Sequence, residues 1–186
     1  QGYIQTTPLQ LCLMTAHIAN GGNKIQPKMI VNNKSLTFLE AKNNIEVQKL
    51  INPETQLVKN QKNLEIIQKA MFSSTNEIRG TSYVSRIDDP KYQFAGKTGT
   101  AQVKRISKRE RELDLKLDQI PYNDRDHALY VAYGPYVNPR YALSIIVEHG
   151  GSGSKAAAPM AKELFKLIID REELREKQSN FEEINI

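Results

Sequence analysis

The chain has one cysteine, Cys12, in 186 residues. A single thiol excludes an intrachain disulfide and a cysteine-rich metal site. Its neighbours Leu11, Leu13 and Met14 suit a small buried side chain. No run of eighteen apolar residues occurs, so no segment here is expected to span a membrane. Initiator methionine and signal peptide are both missing: the sequence opens on Gln1-Gly2-Tyr3-Ile4, as an excised segment of a longer protein would. The net charge of +5 is modest, and the basic residues are mixed with acids. Nucleic-acid binding would need a basic stripe with stacking aromatics. His17 and His149 lack metal-ligand spacing, and neither a metal nor a cofactor is expected.

What is present suits a soluble globular piece, with 39% apolar and 25% charged residues and enough length for one real core. Thr7-Pro8-Leu9-Gln10 reads as a helix start, with cap, N1 proline and capping-box glutamine. Leu9, Leu13, Ala16, Met14 and Ile18 continue it at helical spacing, apolar on most sides, until Asn20-Gly21-Gly22. A short extended segment is expected over 25–31 and a polar connection over 32–49. A second helix is expected from Asn52-Pro53, burying Leu57, Leu64, Ile67 and Met71, with a polar loop over 73–81. Strands follow at 93–103, 127–133 and 141–148, separated by a charged insertion (104–126) and a Pro/Asn/Gly turn. No crossover helices separate them, so they should pair antiparallel. A last helix is expected over 156–176, leaving 177–186 as a polar tail that frays. The fold class is α+β: about three antiparallel strands covered by helices.

The chemistry concentrates in Phe94-Ala95-Gly96-Lys97-Thr98-Gly99-Thr100-Ala101. A phosphate loop would need G-x-x-x-x-G-K-[ST] ahead of a helix. Position 91 is Lys91 rather than glycine, and the preceding residues look like a strand, so that reading fails. A lysine and two hydroxyls on one strand suit a carboxylate. Thr98 and Thr100 share one face, Lys97 and Gly99 the other, and Gly99 lets a backbone or ligand lie flat along the strand. The blander reading is an edge strand with a surface lysine.

The surroundings make the motif specific. Gln1-Gly2-Tyr3 with Thr7-Pro8-Leu9-Gln10, then Ala19-Asn20-Gly21-Gly22, Arg79-Gly80-Thr81 and the run Ala95 to Val103 occur in one order. Arg125-Asp126-His127-Ala128-Leu129, Val147-Glu148-His149-Gly150-Gly151 and Ala156-Ala157-Ala158-Pro159-Met160-Ala161 complete it. The chain, over nearly its whole length, resembles the C-terminal part (1–176) of the transpeptidase domain of a class B penicillin-binding protein. The nearest subfamily is the elongation type, penicillin-binding protein 2, to which the R-D-H-A-L run points.

That resemblance implies a peptidoglycan D,D-transpeptidase working through an acyl-serine. The family's site joins S-x-x-K, S-x-N and K-T-G motifs, and only the last stands in its proper context. Ser152-Gly153-Ser154-Lys155 and Ser74-Thr75-Asn76 match the others by letter but in the wrong order, so nucleophile and base are expected upstream and the piece inert alone. By resemblance, Lys97 strengthens the positive field and bonds the relay serine. Thr98, Gly99 and Thr100 receive the stem peptide or a β-lactam, and the Thr100 N–H completes an oxyanion hole. Strands of the family's sheet outside this chain would pair beside 141–148. The resemblance further implies stem peptides and β-lactams as ligands, a membrane glycan polymerase as partner, and a parent anchored in the bacterial inner membrane with this domain in the periplasm. A serine β-lactamase, or a non-catalytic penicillin sensor, remains the alternative. Asp126-His127 could form a base–orienter pair, though a structural histidine fits as well. His149-Gly150-Gly151-Ser152 could line the floor of the site. The insertion from Lys104 to Asp118, with six basic and four acidic residues, reads as a solvated loop, with a partner or peptidoglycan contact as the alternative; Leu113, Leu115 and Leu117 would permit a short ribbon.

Overall fold

The structure, a computed structural model, describes residues 4–27, 56–104 and 115–184. Helix α1 (Pro8–Ala19) starts where the sequence placed it. The Gln10 N–H donates to Thr7 Oγ1 at 3.2 Å and the Thr7 N–H to Gln10 Oε1 at 2.8 Å, closing the capping box. It is less covered than its apolar surface suggested. Among the described residues only Thr15 of the helix is buried, and Leu9 and Met14 stay 51% and 46% exposed. Cys12 is half-buried, its Sγ donating to the Ala142 carbonyl at 3.3 Å.

Helix α2 (Gln61–Asn76) differs from expectation at both ends. Asn60 caps it through the Lys62 N–H, so Leu57 stands before the helix, exposed; Asn52-Pro53 lies outside the described residues. At the other end Ser73–Asn76, read as loop, form its last turn. Their polar side chains serve the helix itself. Thr75 Oγ1 returns to the Met71 carbonyl and Asn76 Nδ2 to that of Phe72, which lets short polar residues close a helix instead of leaving it. Leu64 and Met71 are buried as expected, whereas Ile67 is half-exposed.

Strands β1 (Ala95–Ala101), β2 (His127–Gly134) and β3 (Tyr141–Val147) form one antiparallel sheet in that order. Thr98 stands opposite Tyr130 and Thr100 opposite Ala128. After β3, one π turn (Gly153–Ala157) leads into helix α3 (Ala158–Ile184). That helix runs past Arg175, where fraying was expected, through the polar residues to Ile184. Its near half buries Ala158, Ala161 and Phe165 on Phe94, Tyr130 and Ala132. Phe94 stacks on Phe165 at 4.9 Å and meets Tyr130 edge-on at 6.4 Å, both favoured aromatic geometries. On the opposite face Met71 packs with Ala95 and Tyr133, joined by Ile18, Phe72 and Val131. The molecule is therefore α+β, with α3 on one face of the sheet and α1 and α2 on the other. Residues 105–114 of the insertion, with Leu113, lie outside the described residues. A ribbon does not continue into its end, because Leu117 begins a 3₁₀ turn. No helix among the described residues is long and apolar enough to cross a membrane.

Candidate functional site

Among the described residues β1 is an outer strand of the sheet, so one of its edges is free of any described strand. Gly96, the first glycine of the motif, serves the core. A Cβ there would stand 2.3 Å from the Tyr130 hydroxyl, so only glycine lets Tyr130 cross beneath the strand. That hydroxyl lies 2.9 Å from Thr75 Oγ1 and 3.0 Å from Ser82 Oγ. Burial raises the Tyr130 pKa, and these two hydrogen bonds temper the rise.

Lys97 is exposed, and its ammonium folds around the free edge. Nζ donates to the Thr98 carbonyl at 2.8 Å and reaches Thr98 Oγ1 at 3.4 Å. Lys97 and Thr98 leave opposite faces of the sheet, as the alternation required, yet their polar ends meet where the faces join. The Thr98 carbonyl thus points off the sheet. Since backbone direction repeats every second residue in an antiparallel pair, the N–H of Thr98 and that of Thr100 share the free edge. Thr100 itself is exposed.

Gly99 has backbone lying flat against it, but the missing side chain that allows this belongs to Gly153. A Cβ on Gly153 would fall 2.3 Å from the Leu129 carbonyl oxygen and 2.8 Å from that of Gly99. The π turn therefore presses on the sheet from the α3 side, beneath β1. The Cβ direction of Gly99 opens to the other face, with Leu129 Cβ at 3.3 Å.

Beside the edge lies a cleft of about 560 Å3. Ile18, Ile67, Met71, Ser74, Thr81 and Lys97 are among its lining residues. Ser74 Oγ lies 3.2 Å from Thr81 Oγ1, which lies 3.3 Å from Thr98 Oγ1. Nothing local in the sequence points to Ser74 or Thr81: the first stands in a stretch that reads as a polar loop, the second in a run that carries only the resemblance. No short spacing connects Thr81 to Thr98; only the fold does.

The remaining candidates fall elsewhere. Ser152 Oγ bonds Ser154 Oγ at 3.0 Å, while Lys155 is exposed, so the letter match to S-x-x-K is no nucleophile–base pair. Asp126 does not orient His127: its Oδ1 accepts from the Val103 N–H, 3.4 Å away, and its carbonyl from the Gly151 N–H. His127 Nδ1 accepts from the His149 N–H at 2.9 Å, and His149 Nδ1 lies 3.1 Å from the Arg125 carbonyl. These bonds hold the turn after β3 against the start of β2. His17 Nε2 accepts from the Ile25 N–H.

Residues 1–166 match the family described as the penicillin binding protein transpeptidase domain. The peptidoglycan D,D-transpeptidase MrdA of Salmonella typhimurium is 30% identical over 171 residues, 91% of this chain and 26% of the relative. The protein of the same name from Acinetobacter baumannii is 33% identical over 86% of this chain and 22% of its own length. The chain thus spans about a quarter of the length of the curated relatives it matches. Among solved structures, the complex of Helicobacter pylori PBP2 with MreC gives a TM-score of 0.60 at 30% identity, covering 90% of this chain and 26% of that one. Pseudomonas aeruginosa PBP2 in complex with WCK 5153 gives 0.61 at 29%, covering 90% and 31%.

Proposed function

The chain belongs to the penicillin-binding protein transpeptidase family, and from that premise we propose that it supplies the substrate-binding strand of a peptidoglycan D,D-transpeptidase of cell elongation. The observation that carries this is the free edge of β1. One ammonium, two hydroxyls and outward-facing backbone N–H groups stand there in a line beside an open cleft.

The reaction is acyl transfer. A serine oxygen attacks the D-Ala-D-Ala carbonyl and the terminal D-Ala leaves. The amine of a neighbouring stem then displaces the serine from the ester. Serine and general base come from elsewhere in the protein. The Thr100 N–H donates to the developing oxyanion. Thr98 and Thr100 hydroxyls donate to the stem carboxylate, or to that of a β-lactam. Lys97 Nζ leaves the Thr98 carbonyl to face the reacting groups, and the stem adds alongside β1 as a further strand. The same reading has the parent anchored in the bacterial inner membrane with this domain in the periplasm, alongside a glycan polymerase.

The test is intact-mass measurement of the full-length protein with excess penicillin, beside its Lys97→Ala variant. The expected result is one covalent adduct, formed about 100-fold more slowly in the variant. No adduct on either protein would overturn the reading and leave a sensor domain in its place.

A further inference from the structure

Three hydroxyls form a chain at the edge of the cleft: Ser74 to Thr81 at 3.2 Å, and Thr81 to Thr98 at 3.3 Å. Resting on the function proposed above, we propose that Thr81 is a positioning residue, which turns the Thr98 hydroxyl into a committed donor for the substrate carboxylate. A hydroxyl offers one hydrogen and two lone pairs. Lys97 Nζ, 3.4 Å away, addresses one lone pair of Thr98 Oγ1. When the Thr81 hydrogen addresses a lone pair of Thr98 Oγ1, the Thr98 hydrogen is left for the anion, whether or not Lys97 keeps its place.

A carboxylate accepts and cannot donate, so its arrival selects one direction: Ser74 donates to Thr81, Thr81 to Thr98, Thr98 to the carboxylate. Each donor in such a chain strengthens the next. In the reverse direction Thr98 would spend its hydrogen on Thr81 and offer the anion nothing.

The frame that places Thr81 is built for position. The turn at Gly80 passes so close to α2 that a Cβ there would lie 2.3 Å from the Ser74 carbonyl oxygen. The N–H and hydroxyl of Ser82 both donate to that same oxygen at 3.0 Å. Ser82 and Thr75 meet the Tyr130 hydroxyl, and Tyr130 is the cross-strand partner of Thr98. The support of Thr81 and its target thus share one rung of the sheet.

The experiment compares two probes on the full-length protein: benzylpenicillin, and its methyl ester, which lacks the anionic carboxylate. Thr81→Val keeps the shape and removes the hydroxyl; Thr81→Ser restores it. The expected result is about fivefold weaker apparent affinity for benzylpenicillin in Thr81→Val. The limiting acylation rate and the ester reaction stay as in wild type, and Thr81→Ser recovers the affinity. Unchanged benzylpenicillin kinetics in Thr81→Val would overturn the proposal. So would an equal loss on both probes without rescue by serine, which marks a merely structural residue. A wild type acylated by neither probe would overturn the transpeptidase reading itself, an outcome distinct from the other two.

Discussion

Tyr130 joins the interior to the site strand through one oxygen. Its hydroxyl is shared by Thr75 and Ser82, and Gly96 is glycine because that oxygen sits where a Cβ would go. Gly96→Ala is accordingly expected to destabilise the full-length protein by about 1–3 kcal/mol through overpacking, read as a lowered thermal midpoint. Tyr130→Phe keeps the ring but strands two hydroxyls. Each retains a backbone carbonyl as partner, Met71 for Thr75 and Ser74 for Ser82, so a loss of about 1 kcal/mol is expected. Burial raises the tyrosine pKa above its ordinary 10.0. The neutral form is therefore favoured on folding, and its stability contribution is full below pH 10 and is lost as pH climbs through the raised value. Urea midpoints measured between pH 9 and pH 11 should fall less steeply in Tyr130→Phe than in wild type. A shallower rather than a flat profile is expected, since burial also raises Tyr133. At this scale the placement of Lys97, Thr98 and Thr100 on one strand was legible, because motif and strand alternation are local. Thr81 and Gly153 were not legible, because what they touch is brought to them by other elements.

Elements were legible where side chains follow short-range rules. The capping box of α1, the order of the three strands and the start of the last helix all came from patterns of four or five residues. α2 escaped at both ends for one reason: Asn60 and the run Ser73–Asn76 are residues as ready to bond backbone as to leave a helix, and packing decides. Asn76 shows it, donating to the Phe94 carbonyl as well as to Phe72, which fixes the end of α2 to the lead-in of β1. α3 is fastened by Phe165 between Phe94 and Gly134. It is held further along by Lys91 to Glu173 at 2.7 Å and Arg140 to Glu172 at 2.6 Å. Phe165→Ala removes a fully buried ring and is expected to cost about 3–5 kcal/mol, measured by urea unfolding of the full-length protein.

Across the whole molecule, the sheet has two outer strands, and apolar side chains such as Ile4, Leu9 and Met14 lie open to water. Unpaired edges and open apolar faces favour association. Residues 1–186 by themselves are expected to self-associate or unfold without cooperativity, and a monodisperse, cooperatively folding monomer in sedimentation and melting experiments would count against this. The proposed function takes its serine from elsewhere in the protein, and on that reading labelled penicillin should leave no covalent mark on residues 1–186 alone.

The lysine at the edge of β1 has a second consequence, for solubility. By resting its ammonium on the Thr98 carbonyl, Lys97 stops up an acceptor on the free edge. Two copies could join β1 to β1 only by dislodging a charge from each. Exposed edges elsewhere in proteins are guarded by charge in the same manner; under the proposed function the guard would step aside for the stem peptide. Replacing it with alanine would remove the guard along with the role proposed for Lys97, so the acylation rate of that variant has to be read beside its state of aggregation.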